Sequence, residues 1–195
     1  GPLAARWPLT ELGGPSRPDL TGRTVLDPWG NEHPAGVAHA DPWVQIAATS
    51  EYQTKTTMRL FPGMVTKQLK AEHSLDLGKI VIYSDHGAGV IEGVTRSPVS
   101  LEGARSTCVI RNEGQHWLER NDGHEMADVI DRNVVKSADG QGRAVTFGNA
   151  PEPSEDSMLL REREGFEAIE AGKSAATGIL YDSLEAPPDA PMTPA

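Results

Sequence analysis

Short runs of β-branched and apolar residues alternate along this chain with segments of helical periodicity, and this alternation restricts the fold more than any other feature. Strands are predicted at 43–50, 79–84, 89–95, 107–111, 142–150 and 177–183. The second and third runs flank a four-residue loop, which predicts a β-hairpin. Strands that alternate with helices are typical of a mostly parallel sheet between two helical layers. The sequence therefore predicts a three-layer α/β domain.

Local signals set the expected limits of the helices. Ser50 begins an S-x-x-Q capping pattern, and the apolar residues after it predict a helix of several turns that bends at Pro62. The segment 122–134 starts with D-x-x-E and keeps its apolar residues on one face. Ser154 is the predicted N-cap of a last helix that ends at Gly172.

Composition excludes several classes of protein. The 195 residues carry a net charge of −10, which argues against an extended basic surface for nucleic acid, although not against a few DNA contacts inside a ring. The single cysteine has no disulfide partner in the chain, so we expect a cytoplasmic protein. No run approaches the roughly 20 apolar residues that span a bilayer, so no membrane partner is expected.

The predicted strand 107–111 runs directly into an amide and a carboxylate, Asn112 and Glu113. Ligands bind at the carboxyl ends of strands in open α/β sheets. In a nucleotide site, Glu113 would polarise the water that attacks a γ-phosphate, and Asn112 would accept a hydrogen bond from metal-bound water. The alternative is that these are simply the first solvated residues after a buried strand.

A second polar pair, Thr146 and Asn149, follows the next predicted strand. Neighbouring strands lie about 5 Å apart, so these side chains are expected beside Asn112 and Glu113. There they would contact the γ-phosphate or the attacking water. They would transmit the loss of the γ-phosphate to the next helix. The alternative is that Asn149 only turns the chain before Pro151.

Taken together, several segments resemble the ATPase domain of a phage terminase large subunit, of the type found in phages of actinobacteria. They are "DPWVQIAATSEYQTKTTM", "VTRSPVSLEGARSTCVIRNEGQHW", "NDGHEMADVIDRNVVKSADG", "FGNAPEPSEDS" and "TGILYDSLEAPPDAP". The resemblance implies a P-loop NTPase-like fold of the RecA/ASCE type, with ATP and Mg²⁺ as cofactors. It implies that Glu113 is the catalytic residue, that Asn112 is on the metal side through water, and that Thr146 and Asn149 form the coupling motif.

The resemblance also implies the biological setting. Such enzymes form a homo-oligomeric ring at the portal protein in the cytoplasm of the bacterial host. With the small terminase subunit as a further partner, they drive double-stranded DNA into the capsid by hydrolysing ATP.

The family pattern is incomplete in this chain. Its phosphate-binding (Walker A) loop should precede the helix predicted near residues 3–12, which Pro8 is expected to interrupt. Its nuclease domain should follow the Pro-rich tail. We therefore expect an irregular segment at 1–40 that includes the end of a helix, a partial ATPase core at 41–183, and a linker at 184–195. Alone, such a fragment is expected to be inactive; the alternative is a catalytically inactive prophage remnant, or an interaction module that keeps the fold.

Overall fold

The computed structural model describes residues 2–95, 101–137, 141–175 and 178–184. Helices in this part are α1 (Pro2–Gly13), α2 (Glu51–Met58), α3 (Phe61–Met64), α4 (Lys67–Glu72), α5 (Gly123–Val135) and α6 (Met158–Glu170). Strands are β1 (Arg17–Pro18), β2 (Thr24–Leu26), β3 (Glu32–Pro34), β4 (Gly36–Val37), β5 (Trp43–Ala48), β6 (Asp76–Leu77), β7 (Val81–Ser84), β8 (Gly89–Thr95), β9 (Cys108–Asn112) and β10 (Arg143–Phe147).

One six-stranded sheet organises the molecule, in the order β10-β9-β5-β8-β7-β6. The first four strands of that order run parallel, and β7 and β6 are antiparallel to their neighbours. The predicted hairpin is β7 and β8, and β9 is an interior strand between β10 and β5. The structure thus confirms the predicted α/β class, the mostly parallel sheet and the hairpin.

Helices cover both faces of this sheet. Successive residues of each strand point to opposite sides, so an apolar strand presents apolar side chains to both helical layers. Cys108 and Ile110 of β9 pack in one core cluster with α1 and with Phe61 of α3. Val109 packs in a second cluster with Trp117 and the apolar face of α5. These two clusters are the interfaces of a three-layer domain.

A buried ion-pair cluster anchors the end of α1 to the first residues of β9 and β10. Glu11 is 1% exposed, and it pairs with Arg17 and with Arg143, whose Nη2 lies 3.1 Å from Glu11 Oε2. Arg17 also donates to the carbonyl of Thr107 at 3.2 Å. Since α1 ends where the parallel strands start, it runs antiparallel to them.

The length of α1 decides where its other end lies. The 12 residues of α1 rise about 1.5 Å each, and the five residues of β9 rise about 3.3 Å each. The helix and the strand are therefore similar in length. The first turn of α1 is therefore at the carboxyl edge of the sheet, where β9 ends.

Two predictions about the helices are corrected. The single helix expected after Ser50 is three short ones, because Thr66 caps α4 separately by accepting a hydrogen bond from the Leu69 N–H. Pro8, expected to interrupt the first helix, lies inside α1, where burial of Ala4, Ala5 and Leu12 offsets the hydrogen bond that a proline cannot make.

The last helix and the last strand also differ from expectation. Ser157, not Ser154, is the N-cap of α6, and its hydroxyl accepts from the Leu160 N–H at 3.2 Å. Residues 178–183 form no strand; Gly178 has a left-handed φ of 75°, and Tyr181 packs on Phe166 with ring centroids 5.8 Å apart. Residue 177 and the tail 185–195 lie outside the described residues.

Cys108 gives a simple test of this packing. Burial raises the pKa of its thiol to about 12, with a further contribution from the charge of Glu11. Because the thiolate is the reactive form, this higher pKa keeps the thiol protonated and unreactive at pH 8. We expect a thiol reagent at pH 8 to label Cys108 only after denaturation; labelling of the folded chain at the denatured rate would contradict the described packing.

The remaining strands form two small antiparallel pairs, β1 with β4 and β2 with β3. Among the described residues, no helix is both long enough and apolar enough to cross a membrane.

Candidate nucleotide site at the carboxyl edge of the sheet

The parallel strands β9 and β10 end side by side, and their last residues, Asn112 and Phe147, are partners in the register. Glu113 follows Asn112 directly, and Asn149 lies two residues after Phe147. The polar residues after both strands therefore gather at one edge of the sheet, which is also the edge where α1 begins.

Asn112 is buried, at 3% exposure, and its side chain faces α2. Its Nδ2 donates to Thr57 Oγ1 at 3.3 Å, whereas its Oδ1 accepts no hydrogen bond from any of the described residues. The carbonyl of Asn112 accepts a hydrogen bond of 3.0 Å from the indole of the fully buried Trp117. Trp117 thus anchors the end of β9, and the unpaired amide oxygen has the right chemistry to accept a hydrogen bond from a metal-bound water.

Glu113 has a backbone conformation that is unusual for a residue with a side chain. Its φ of 59° and ψ of 53° place it in the left-handed region, where it begins the 3₁₀ turn Gly114–His116. Such conformations cost about 1 kcal/mol or more and cluster at functional sites. The turn leaves Glu113 half-buried at the edge of the sheet.

A buried glutamine links the two strand ends. Gln115 Nε2 donates to Glu113 Oε2 at 2.7 Å, and Gln115 Oε1 accepts from the backbone N–H of Asn149 at 3.1 Å. The structure therefore brings Glu113 and Asn149 to one place, with the Asn149 contact made by its backbone while its side chain is exposed.

Thr146 lies on the other face of the sheet, below this edge. Its hydroxyl donates to Glu162 of α6 at 3.2 Å, and Glu162 also accepts from Arg111 at 3.1 Å. Burial raises the pKa of Glu162, and the Arg111 charge opposes that shift. Thr146 has no described contact with Glu113; its methyl lies under Gly114, where an added Cβ would be 2.5 Å away.

Other parts of the chain that carry motif-like residues provide no competing site. Gly172, which precedes Lys173 and Ser174, has a left-handed φ of 67° just after α6, and Lys173 N–H bonds back to the Ala168 carbonyl. This Gly-Lys-Ser run ends a helix and does not form a phosphate-binding loop. Within the described ranges, no three His, Cys, Asp or Glu side chains are grouped to hold a metal ion.

Sequence reasoning missed Gln115 and Arg111 as parts of this edge. Arg111 donates to Asp131 Oδ1 at 2.5 Å as well as to Glu162, so it ties β9 to α5 and α6. The available signal was their position, because both lie within two residues of Glu113.

Comparison with known proteins places this arrangement in context. No family model matches the sequence. The chain is 40% identical to the "Gene 13 protein" of Mycobacterium phage L5 over an alignment 197 residues long, gaps included. The alignment covers 98% of this chain and 32% of that protein. The "Gene 13 protein" of Mycobacterium phage D29 is also 40% identical, over 98% of this chain and 31% of its own length. The chain spans about a third of the length of these curated relatives.

Among solved structures, the large terminase of bacteriophage HK97 superposes on this chain with a TM-score of 0.59 and 16% sequence identity. The superposition covers 97% of this chain and 33% of the HK97 chain. The chain has the fold of a phage large terminase. This likeness confirms the predicted P-loop NTPase-like class.

Proposed function

We propose that this chain is part of the ATPase motor domain of a phage terminase large subunit, which couples ATP hydrolysis to the packaging of double-stranded DNA into a capsid. The observation that carries the proposal is the juxtaposition of Asn112 and Glu113 at the carboxyl end of an interior parallel strand. In open α/β sheets this edge is the ligand-binding edge. The fold shared with the HK97 large terminase supports the same assignment.

The orientation of α1 supports the proposal independently. A phosphate-binding loop precedes a helix and presents backbone N–H groups at its N-terminus. Because the first turn of α1 is at the same edge as Glu113, a loop directly before α1 would meet the strand end that carries the carboxylate. A phosphate-binding loop directly before α1 is what the resemblance to terminases leads us to expect, and it is part of this proposal.

The roles of the residues follow from their chemistry. Glu113 accepts a proton from the attacking water and orients it, which is the task of a carboxylate beside a γ-phosphate. Asn112 accepts a hydrogen bond from water through its unpaired Oδ1. Bound Mg²⁺ would neutralise charge on the phosphates of ATP. Asn112 brings no negative charge of its own, so much of the metal's coordination falls to the nucleotide.

The partners follow from the same proposal: double-stranded DNA, the portal protein, the small terminase subunit and further copies of the chain in a ring. The net charge of −10 is consistent with DNA contacts made by a few side chains inside a ring rather than by a broad basic face.

A hydrolysis assay on the intact natural protein tests this function. We expect ATP turnover that requires Mg²⁺ and is coupled to the movement of double-stranded DNA into empty capsids. A protein that folds but neither binds nor hydrolyses ATP would favour the second candidate, an inactive module that keeps the fold. The uncharged Asn112 is the observation that favours this second candidate.

Asn112 provides a further prediction. Asn112→Asp adds a carboxylate beside the proposed metal position, so we expect the Mg²⁺ concentration for half-maximal ATP binding to fall several-fold. Without Mg²⁺ the buried charge should lower the stability of the variant. Gln68→Glu adds the same charge on the exposed face of α4 and is the control. An unchanged Mg²⁺ dependence in Asn112→Asp would remove Asn112 from the metal side of the site.

A further inference from the structure

The side chain of Gln115 is held at both ends, and these contacts settle which way its amide points. A backbone N–H, from Asn149, can only donate, so the atom that it contacts is the carbonyl oxygen Oε1. The amide nitrogen Nε2 is then directed at the carboxylate of Glu113, at 2.7 Å. Both partners fit glutamine, whereas a carboxylate at position 115 would face the Glu113 carboxylate with like charge.

This amide has little freedom to move. Gln115 is 9% exposed, and a Cβ on Gly148 would lie 2.5 Å from its Oε1. The absence of a side chain at Gly148 therefore makes the room for Gln115. The two hydrogen bonds of Gln115 are thus partly buried, with the glutamine side chain itself on the inner side.

The contact also leaves one face of Glu113 available. Gln115 bonds to Oε2, and among the described residues no group donates a hydrogen bond to Glu113 Oε1. A carboxylate held by one oxygen has a defined direction for the other. Such preorganisation matters because a misplacement of about 1 Å in a reacting group can cost about a hundredfold in rate.

We propose that Gln115 is the positioning residue of the site: it orients the Glu113 carboxylate toward the attacking water and ties it to the loop after β10. This inference rests on the proposed function, in which Glu113 acts on that water. Because Gln115 holds the Asn149 backbone with the same amide, a shift of the β10 loop moves the carboxylate. The two hydrogen bonds of the Gln115 amide thus connect the Glu113 and Asn149 segments directly.

The test is a double-mutant cycle in the intact natural protein, with Gln115→Met, Glu113→Gln and the double variant. Methionine keeps the length of the side chain but removes both hydrogen bonds. We expect Gln115→Met to lower kcat for ATP by roughly 10- to 100-fold with little change in KM. If Gln115 acts through Glu113, the double variant should be no slower than Glu113→Gln alone. Gln68→Met, on the exposed face of α4, is the matched control.

The outcomes separate the inference from the function on which it rests. Full kcat in Gln115→Met overturns the role of Gln115 alone. The same role is overturned if Gln115→Met lowers kcat by the same factor in the Glu113→Gln background as in the wild type. Full kcat in Glu113→Gln overturns the role of Glu113 and this inference with it, whereas a folded wild-type protein that does not hydrolyse ATP overturns the proposed function itself. Should Gln115→Met fail to fold, Gly148→Ala displaces the amide by its Cβ. It should lower kcat without raising KM, and full activity in that variant would overturn the positioning role.

Discussion

Replacing Glu113 by Gln in the intact natural protein is expected to lower kcat for ATP hydrolysis by roughly two to four orders of magnitude, the usual contribution of a general base. The change removes the proton acceptor but keeps the shape of the side chain and one acceptor oxygen. The left-handed backbone and the contact with Gln115 are compatible with an amide, so ATP binding should persist. Steady-state kinetics and equilibrium binding of ATP, measured on the same preparation, test both statements.

Glu72→Gln is the matched control for this variant, because Glu72 is an exposed carboxylate on α4, remote from the carboxyl edge. Its turnover should equal that of the wild type. Unimpaired hydrolysis by Glu113→Gln would mean that another group accepts the proton, and Glu113 would then be only the first solvated residue after β9.

The second large effect is expected on stability. Glu11→Ala should lower the free energy of unfolding by about 3–5 kcal/mol, the usual cost of removing one partner of a buried ion pair. Arg17, at 7% exposure, would be left with its charge buried, and Arg143 would lose the same carboxylate. The loss releases the end of α1 from the first residues of β9 and β10. Urea denaturation followed by tryptophan fluorescence measures the change.

Glu51→Ala provides the comparison, since Glu51 pairs with Lys55 at 2.7 Å on the surface, where both side chains are largely exposed. Surface pairs contribute about 1 kcal/mol or less. Equal losses in the two variants would show that the Glu11 cluster is not a buried anchor.

The sequence predicted the central strands of the sheet well because they are interior and therefore mostly apolar. Strands β5, β8 and β9 and the helix α5 lie close to their predicted positions, and Ser50 caps α2 by accepting from the Gln53 N–H. Two failures are local, since Thr66 and Ser157 cap helices at positions that were not predicted, and the last predicted strand fails where a tertiary contact decides. Residues 178–183 have the composition of a strand, but Tyr181 packs on α6 instead of pairing with β10.

The candidate site was predictable only in part, for a similar reason. The polar residues after β9 and β10 are visible in the sequence, and the parallel pairing brings their backbones together. The direction in which each side chain points depends on where its strand ends and turns. Thr146 therefore contacts Glu162 on the opposite face, while Gln115, hidden in a short turn, joins Glu113 to Asn149.

The left-handed backbone at Glu113 also bears on which substitutions such a protein accumulates when selection for its activity is relaxed. Glycine, asparagine and aspartate adopt this conformation more readily than glutamate does. Inactivating substitutions to these residues would relieve local strain, so a descendant that has lost the chemistry would lose little stability. Under the proposed function, retention of glutamate at a position where the backbone favours other residues is thus a sign, readable from sequence alone, that a lineage still depends on this carboxylate.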